Sequence, residues 1–244
     1  MNIETIILGA GGHGRVVLDI LQQAKSCKPV AFLDSNPALH GRRVDGLPVL
    51  GDTSQLPDLE RRGVRRAIIA IGDNGVRRAM GHLLEQNGFE LVNAIHPSAQ
   101  LATSVSLGKG VVIAAGALVC AHCQIGDYSI LNTGCIVDHE SMIGTSAHIC
   151  PGVRLAGHVT VESGAFIGIG ATIIQNVHVG FEAVVAAGAV VVRNVDPMTT
   201  VVGVPARVIK DSPSADQFAS MMMPGVSDDA RDPMRVAPSP TAAD

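Results

Sequence analysis

The chain has no tryptophan, one tyrosine and five phenylalanines among 244 residues, so large aromatic side chains cannot fill its interior. It also lacks an excess of positive charge. With a formal net charge of -4 there is no basic field to hold nucleic acid or an anionic lipid surface, and both partner classes are excluded. No stretch reaches about 18 uninterrupted apolar residues, and the opening MNIETIILGAGGHG has no basic region before its short apolar run. The expectation is a cytoplasmic protein without membrane insertion. The cysteines number five, an odd count with no small secreted framework around it, which fits a reducing compartment.

What is present is 47% hydrophobic content, mostly small aliphatics, with 27 glycines. That amount of apolar residue supports one large or two modest domains. A core without aromatics has to be built of narrow, regular layers of Val, Ile, Leu and Ala. Such regularity implies a repeat.

Cut into sixes from Ile95, the sequence reads IHPSAQ, LATSVS, LGKGVV, IAAGAL and onward through seventeen hexads to Asp196 without an insertion. The first position is always Ile, Leu or Val, and the fifth always Ala, Val, Ser or Cys. The fifth residue and the next first residue lie two apart, which is strand spacing on one face rather than helical spacing. Each hexad is therefore a short strand and a corner, and three make an 18-residue coil of a parallel β-helix. Residues after the leading aliphatic, among them Gly108, Gly126, Asn132, Gly144, Gly168 and Gly180, are expected to take positive φ at the corners.

This region resembles the left-handed β-helix of the hexapeptide-repeat acyltransferases, and VVGVPARVIK from Val201 to Lys210 is similar to their closing segment, with Val204 in place of the usual Asn. The handedness is what the resemblance implies, since ordinary crossovers are right-handed. So are assembly as a homotrimer and the seating of acyl-coenzyme A between neighbouring subunits.

Residues 1–92 have a different pattern. ETIILGAGG reads as a buried strand and turn, Arg15 to Ala24 as an apolar-periodic helix, and PVAFLD as a second strand. Further strands are expected at Arg66 to Ile71 and Glu90 to Ala94, with a helix from about Gly75 to Gln86. The turn Gly9-Ala10-Gly11-Gly12-His13-Gly14 fits GxGxxG, and Asp34 follows 20 residues after Gly14. Alone this would favour NAD, but about 92 residues are room for one mononucleotide-sized half. The organisation expected is a half-Rossmann-like α/β domain over 1–92 and an all-β left-handed parallel β-helix over 93–210. A tail over 211–244, with five prolines and no hexad register, reads as disordered.

Front module and prism together resemble the bacterial bacillosamine and perosamine N-acetyltransferases, a group also described as sialic-acid O-acetyltransferase-like. The likeness covers residues 3–210 through GAGGHG, FLDS and AIGDN. It implies a nucleotide-sugar site at Gly11, Gly12, His13, Asp34, Ser35 and Gly72. The implied reaction moves an acetyl group from acetyl-CoA to the amine of a UDP- or GDP-linked 4-amino-4,6-dideoxy sugar. O-acetylation of a sialic acid, and a non-catalytic nucleotide-sugar scaffold, are the alternatives.

Acyl transfer needs a base for the acceptor's proton, and histidine is suited to that near neutral pH. Within NTGCIVDHESMIG, His139 is third and Glu140 fourth in its hexad, which places both at a corner. The resemblance assigns His139 as general base and Glu140 as the carboxylate that raises its basicity. It further places His148, nine residues later, with Gly157 and Ile169 along the coenzyme groove.

Cysteine catalysis does not fit the register, because Cys123 and Cys135 occupy the inward fifth position. Residues 18 apart stack on successive coils, so His122, Glu140 and His158 form one column that offers a divalent metal two imidazoles and a carboxylate. The prism also serves γ-class carbonic anhydrases, but their close histidine pair is missing. The column is expected to shape the groove and tune His139, and no metal cofactor is expected.

Overall fold

The computed structural model describes residues 3–209, so the 211–244 tail falls outside the described residues. The front begins with β1 (Glu4–Leu8), α1 (Gly12–Ala24) and β2 (Lys28–Leu33). A short antiparallel pair, β3 (Arg43–Val44) and β4 (Leu47–Pro48), and a short α2 (Leu56–Arg61) follow. Then come β5 (Arg66–Ile69), α3 (Asn74–Gln86) and β6 (Glu90–Leu91). The four long-range strands form one parallel sheet in the order β2-β1-β5-β6. Ile6, Ile7, Phe32, Ile68 and Ile69 are fully buried in it, as expected for a sheet covered on both faces.

Helix α1 starts three residues before the apolar pattern does, because Gly11 serves as N-cap and Gly14 must approach Gly9 closely. A Cβ on Gly14 would meet the Gly9 carbonyl oxygen. Strand β5 ends at Ile69 rather than Ile71 because Ile71 and Gly72 turn their carbonyls toward Arg77.

From Ala94 onward the chain is a three-sided parallel solenoid of about six coils. One face runs from Ala94–Ile95 through Val112–Ile113, Ile130–Leu131, His148–Ile149, Phe166–Ile167 and Val184–Val185 to Thr200–Val202. We call it the docked face, since the front domain lies on it. The second face runs from Gln100–Leu101 to Val190–Val191, and the third from Ser106–Leu107 to His178–Val179. Partners are 18 residues apart up to Val191, as in Ile130 with His148 and Ile136 with Arg154, and 16 apart in the closing pair of Val184 with Thr200. The interior is a stack of branched aliphatics over small residues, with Ala147, Ala165, Ala171, Ala183, Ala189, Cys123 and Cys135 fully buried.

The corners correct the sequence expectation. Positive φ falls at the fourth hexad position, without a break from Gly110 to Gly188, and includes His122, Tyr128, Glu140, Ser146, His158 and Asn176. Second-position glycines are needed for another reason, which is close approach of the next coil. A Cβ on Gly126 would come within 2.6 Å of the Thr145 nitrogen, and one on Gly168 within 2.5 Å of the Ala187 nitrogen.

The front domain is locked to the solenoid by Arg77 of α3, which is fully buried. Its Nε donates to the Tyr128 carbonyl at 2.7 Å, Nη1 to the Ile71 and Gly72 carbonyls at 2.9 Å, and Nη2 to Asn74 Oδ1 at 2.6 Å and the Ser146 carbonyl at 2.9 Å. Burial lowers its pKa to about 9, with Asp73 pulling the other way, so the guanidinium keeps its charge at neutral pH. Ser146 Oγ donates to the Asn74 carbonyl at 2.6 Å, and Tyr128 packs its ring where Gly81 has no side chain. A buried cation with all its donors used holds two domains in one geometry.

Candidate active site

His139 and Glu140 sit on the edge between the second and third faces, as the hexad register predicts. The edge is a tight corner in which Glu140 takes φ 58, and both side chains are half exposed. His139 Nδ1 lies 3.1 Å from Glu140 Oε2, which fixes the proton on Nδ1 and leaves Nε2 as an acceptor. The imidazole rests on Gly157, where a Cβ would come within 2.5 Å of Cε1 and 2.6 Å of Nε2. Gly157 thus supplies the floor on which the ring lies.

Glu140 Oε2 has a second partner, His158 Nε2 at 3.0 Å. The His139 and His158 rings meet edge to face with centroids 5.3 Å apart. The stacked column of the sequence argument is therefore modified: the histidines on Glu140 are His139 and His158, and His122 is not one of them. The expected pairing of His139 with Glu140 is present, and of the two histidines expected to flank that carboxylate in the column only His158 contacts it.

His148 is on the docked face, a different side of the prism from His139. It points away from the solenoid axis yet is only 8% exposed, because the front domain covers it. Its ring packs edge to face on Phe166, and Nε2 lies 3.2 Å from Asn132 Nδ2. Burial holds its pKa well below the ordinary value, the charges of Arg77 and His13 add to this, and the Gly72 backbone opposes it. His148 is therefore a neutral imidazole, and its buried Nδ1 makes no hydrogen bond of good geometry. Ile169, 57% exposed, lies on the edge between the docked and second faces.

The nucleotide-sugar candidates gather at the carboxyl ends of β1, β2 and β5, where the order reverses about β1 and a crevice opens. Gly11 and Gly12 begin α1 with nothing within 4 Å of where a Cβ would stand, and no side chain caps the helix. Its first N–H groups are free for an anion. His13 Nε2 is buried without a partner, and burial followed by the Arg77 charge lowers its pKa to about 4. The Asp34 carboxylate accepts the Ala10 N–H at 2.7 Å and the Asn36 N–H at 2.8 Å, which ties the glycine turn to the end of β2. Ser35 is exposed beside it, and the Gly72 carbonyl is taken by Arg77.

Two groups of residues result. Gly11, Gly12, His13, Asp34, Ser35 and Gly72 line the mouth of the front domain, and His148 reaches the same place from the solenoid. His139, Glu140 and Gly157 form a second group on another edge. The residue that sequence reasoning missed is Arg77, which orders the first group; the signal was an arginine in register with Gly81 and Leu84 on the inward side of α3.

Known proteins share this fold. The family described as PglD N-terminal domain matches residues 4–84. GDP-perosamine N-acetyltransferase of Escherichia coli O157:H7 is 30% identical over 163 residues, covering 64% of this chain and 71% of that protein. A histidine-to-asparagine variant of perosamine N-acetyltransferase from Caulobacter crescentus, in complex with CoA and GDP-perosamine, superposes with TM-score 0.83 and 42% identity over 85% of this chain and 97% of that one. The acetyltransferase domain of PglB from Neisseria gonorrhoeae FA1090, in complex with acetyl coenzyme A, has TM-score 0.80 and 32% identity, covering 86% and 100% of the two chains.

Proposed function

Because the chain belongs to the PglD-type family of sugar-nucleotide N-acetyltransferases, we propose that it acetylates the 4-amino group of a GDP- or UDP-linked 4-amino-4,6-dideoxy sugar, with acetyl-CoA as donor. The observation that carries this reading is the His139–Glu140 pair. One ring nitrogen is held by a carboxylate at 3.1 Å and the other is free on an exposed edge.

The sugar amine is the nucleophile. Its lone pair attacks the thioester carbonyl, and His139 Nε2 takes the proton lost from nitrogen as the C–N bond forms. Collapse of the tetrahedral centre breaks the C–S bond, and the imidazolium returns the proton to the departing thiolate. Glu140 keeps Nδ1 protonated and stabilises the transient positive charge, the task of an orienting carboxylate. Neutral His148 and His13 suit a crevice that has to accept a diphosphate and a thioester without burying an extra charge. The uncapped start of α1 is the seat for the diphosphate.

A homotrimer is the assembly that this reading adopts, and the separation of these residues supports it. His139 occupies one edge of the prism, whereas His148 and the glycine turn flank the docked face, so the base of one chain serves the crevice of its neighbour. Acetyl-CoA then runs between copies, past His148, Gly157 and Ile169. A cytoplasmic location accords with the donor, and no helix among the described residues is long and apolar enough to cross a membrane.

The test is an assay of thiol release from acetyl-CoA against GDP-perosamine, UDP-linked 4-amino sugars and free sialic acid. Turnover is expected with a nucleotide-linked amine and not with sialic acid. His139→Ala should lower kcat by about 10² to 10⁴-fold with coenzyme binding retained. Full turnover by that variant removes the base assignment.

A further inference from the structure

The corner that holds the base has the donor set of a metal site. His139 Nδ1, Glu140 Oε2 and His158 Nε2 all lie within 4.8 Å of one another, with the oxygen 3.1 and 3.0 Å from the two nitrogens. Two imidazoles and a carboxylate are a tetrahedral zinc set with one position left for water. With metal–ligand bonds of about 2.0 to 2.2 Å, tetrahedral ligands stand about 3.3 Å apart. The two N···O separations are already close to that, and both nitrogens contact the same oxygen. Neither histidine has to leave the corner, because the His139 hydrogen bond and the His158 ion-pair contact with Glu140 would be exchanged for bonds to the ion. The site is half exposed, so an aqueous ion can enter it.

We propose that this corner binds Zn²⁺, or another borderline divalent ion, reversibly, and that the bound ion switches the transferase off. Metal binding stands on the donor geometry alone; its effect on transfer rests on His139 being the base. A neutral imidazole has one proton. When the ion takes Nδ1, that proton moves to Nε2, and the nitrogen that should accept the amine proton becomes a donor. The coordinated ring keeps its place on Gly157 but cannot act as a base. No proton is released overall, only relocated within the ring. Hard, oxygen-preferring ions such as Mg²⁺ and Ca²⁺ do not suit two imidazoles and should not have this effect.

His158 is the ligand that can be replaced while His139 and its hydrogen bond to Glu140 are kept. It sits at a corner position with φ 57, and Asn176, one coil further along the same column, holds φ 61. His158→Asn therefore suits the backbone it replaces, since asparagine tolerates that conformation. The experiment measures Zn²⁺ binding to the full chain by calorimetry, Co²⁺ binding by its visible absorption, and thiol release across a Zn²⁺ titration with chelator reversal. Thermal melting in chelator checks that the variant is folded.

The expected result is one tight equivalent per chain with a four-coordinate Co²⁺ spectrum. Inhibition should track occupancy, and the His158→Asn variant should require at least about tenfold more Zn²⁺ for both. Wild type and variant giving the same binding, or no Co²⁺ band, overturns the metal site whatever the activity shows. One equivalent bound at this corner with undiminished transfer overturns the switch and the assignment of His139 as base. No turnover with any acceptor, alongside His158-dependent binding, overturns the functional reading and leaves the site standing.

Discussion

At the scale of single residues, the base is placed as much by a missing atom as by its carboxylate. Gly157 has a backbone that alanine can adopt, so Gly157→Ala confronts the His139 ring and not the fold. The ring is the movable party, and it must swing off its floor by roughly an ångström, a displacement that costs about 10²-fold in rate. Gly157→Ala is therefore expected to lower kcat by about 10²-fold with the melting temperature nearly unchanged, measured by thiol release and calorimetry. An alanine variant with full kcat would show that the imidazole does not depend on this seat. His139 and Glu140 were legible because two adjacent residues in a hexad share one corner whatever the rest of the fold does. The His158 contact with Glu140 was half legible: the 18-residue stacking put it on the correct column, but which two of three candidate histidines face one carboxylate depends on rotamers. Arg77 was not legible as an organiser, because the acceptors that tie it to the solenoid, the Tyr128 and Ser146 carbonyls, are backbone groups more than 50 residues away.

At the scale of elements, the hexads specify strands and corners without ambiguity, since the first and fifth positions are fixed by the space inside the prism. The corner conformation was assigned to the wrong residue. The fourth position hosts Gly, His, Tyr, Glu, Ser and Asn, a set with no common side chain, so its left-handed backbone leaves little compositional trace. The glycines that do stand out mark where one coil's backbone presses on the next.

The packing of α1 and the docked face has a consequence for acid stability. His13, at the start of α1, titrates at about 4 in the folded chain because of burial and then Arg77, and His148 is held well below its ordinary value mainly by burial. Unfolded, each takes up its proton near pH 6.5. From about pH 6.5 down to the folded pKa the unfolded chain binds protons that the native one does not, so stability falls as pH falls through that window. For His13 the loss between pH 7 and pH 5 amounts to about 2 kcal/mol. Urea unfolding at the two pH values checks this, and His13→Gln should shrink the difference by that amount. An unchanged difference in the variant would mean that His13 is protonated in the folded state.

At the scale of the whole molecule, the separation of the two residue groups makes a prediction that no single chain can satisfy by itself. His139 is carried on the edge between the second and third faces, and the glycine turn of the front domain lies over the docked face. A chain with His139→Ala keeps its crevice and lacks a base. A chain with Gly12→Glu keeps its base, but a carboxylate at the open start of α1 repels the diphosphate. Gly12 has open space around it, so this second substitution leaves packing intact. In the homotrimer proposed above, each parent should be nearly inactive. Co-refolded or co-expressed in equal amounts, the chains mix at random in a cyclic trimer, and about one interface in four joins an intact base to an intact crevice. Thiol release should recover to roughly a quarter of the wild-type rate per site by that counting. If the mixture stays at the sum of the two inactive parents, despite mass-spectrometric proof of mixed trimers, then base and crevice belong to the same chain. In that case the front domain would have to swing away from the Arg77 lock to bring its ligand to His139, and disrupting that lock, not mixing chains, would be what changes the rate.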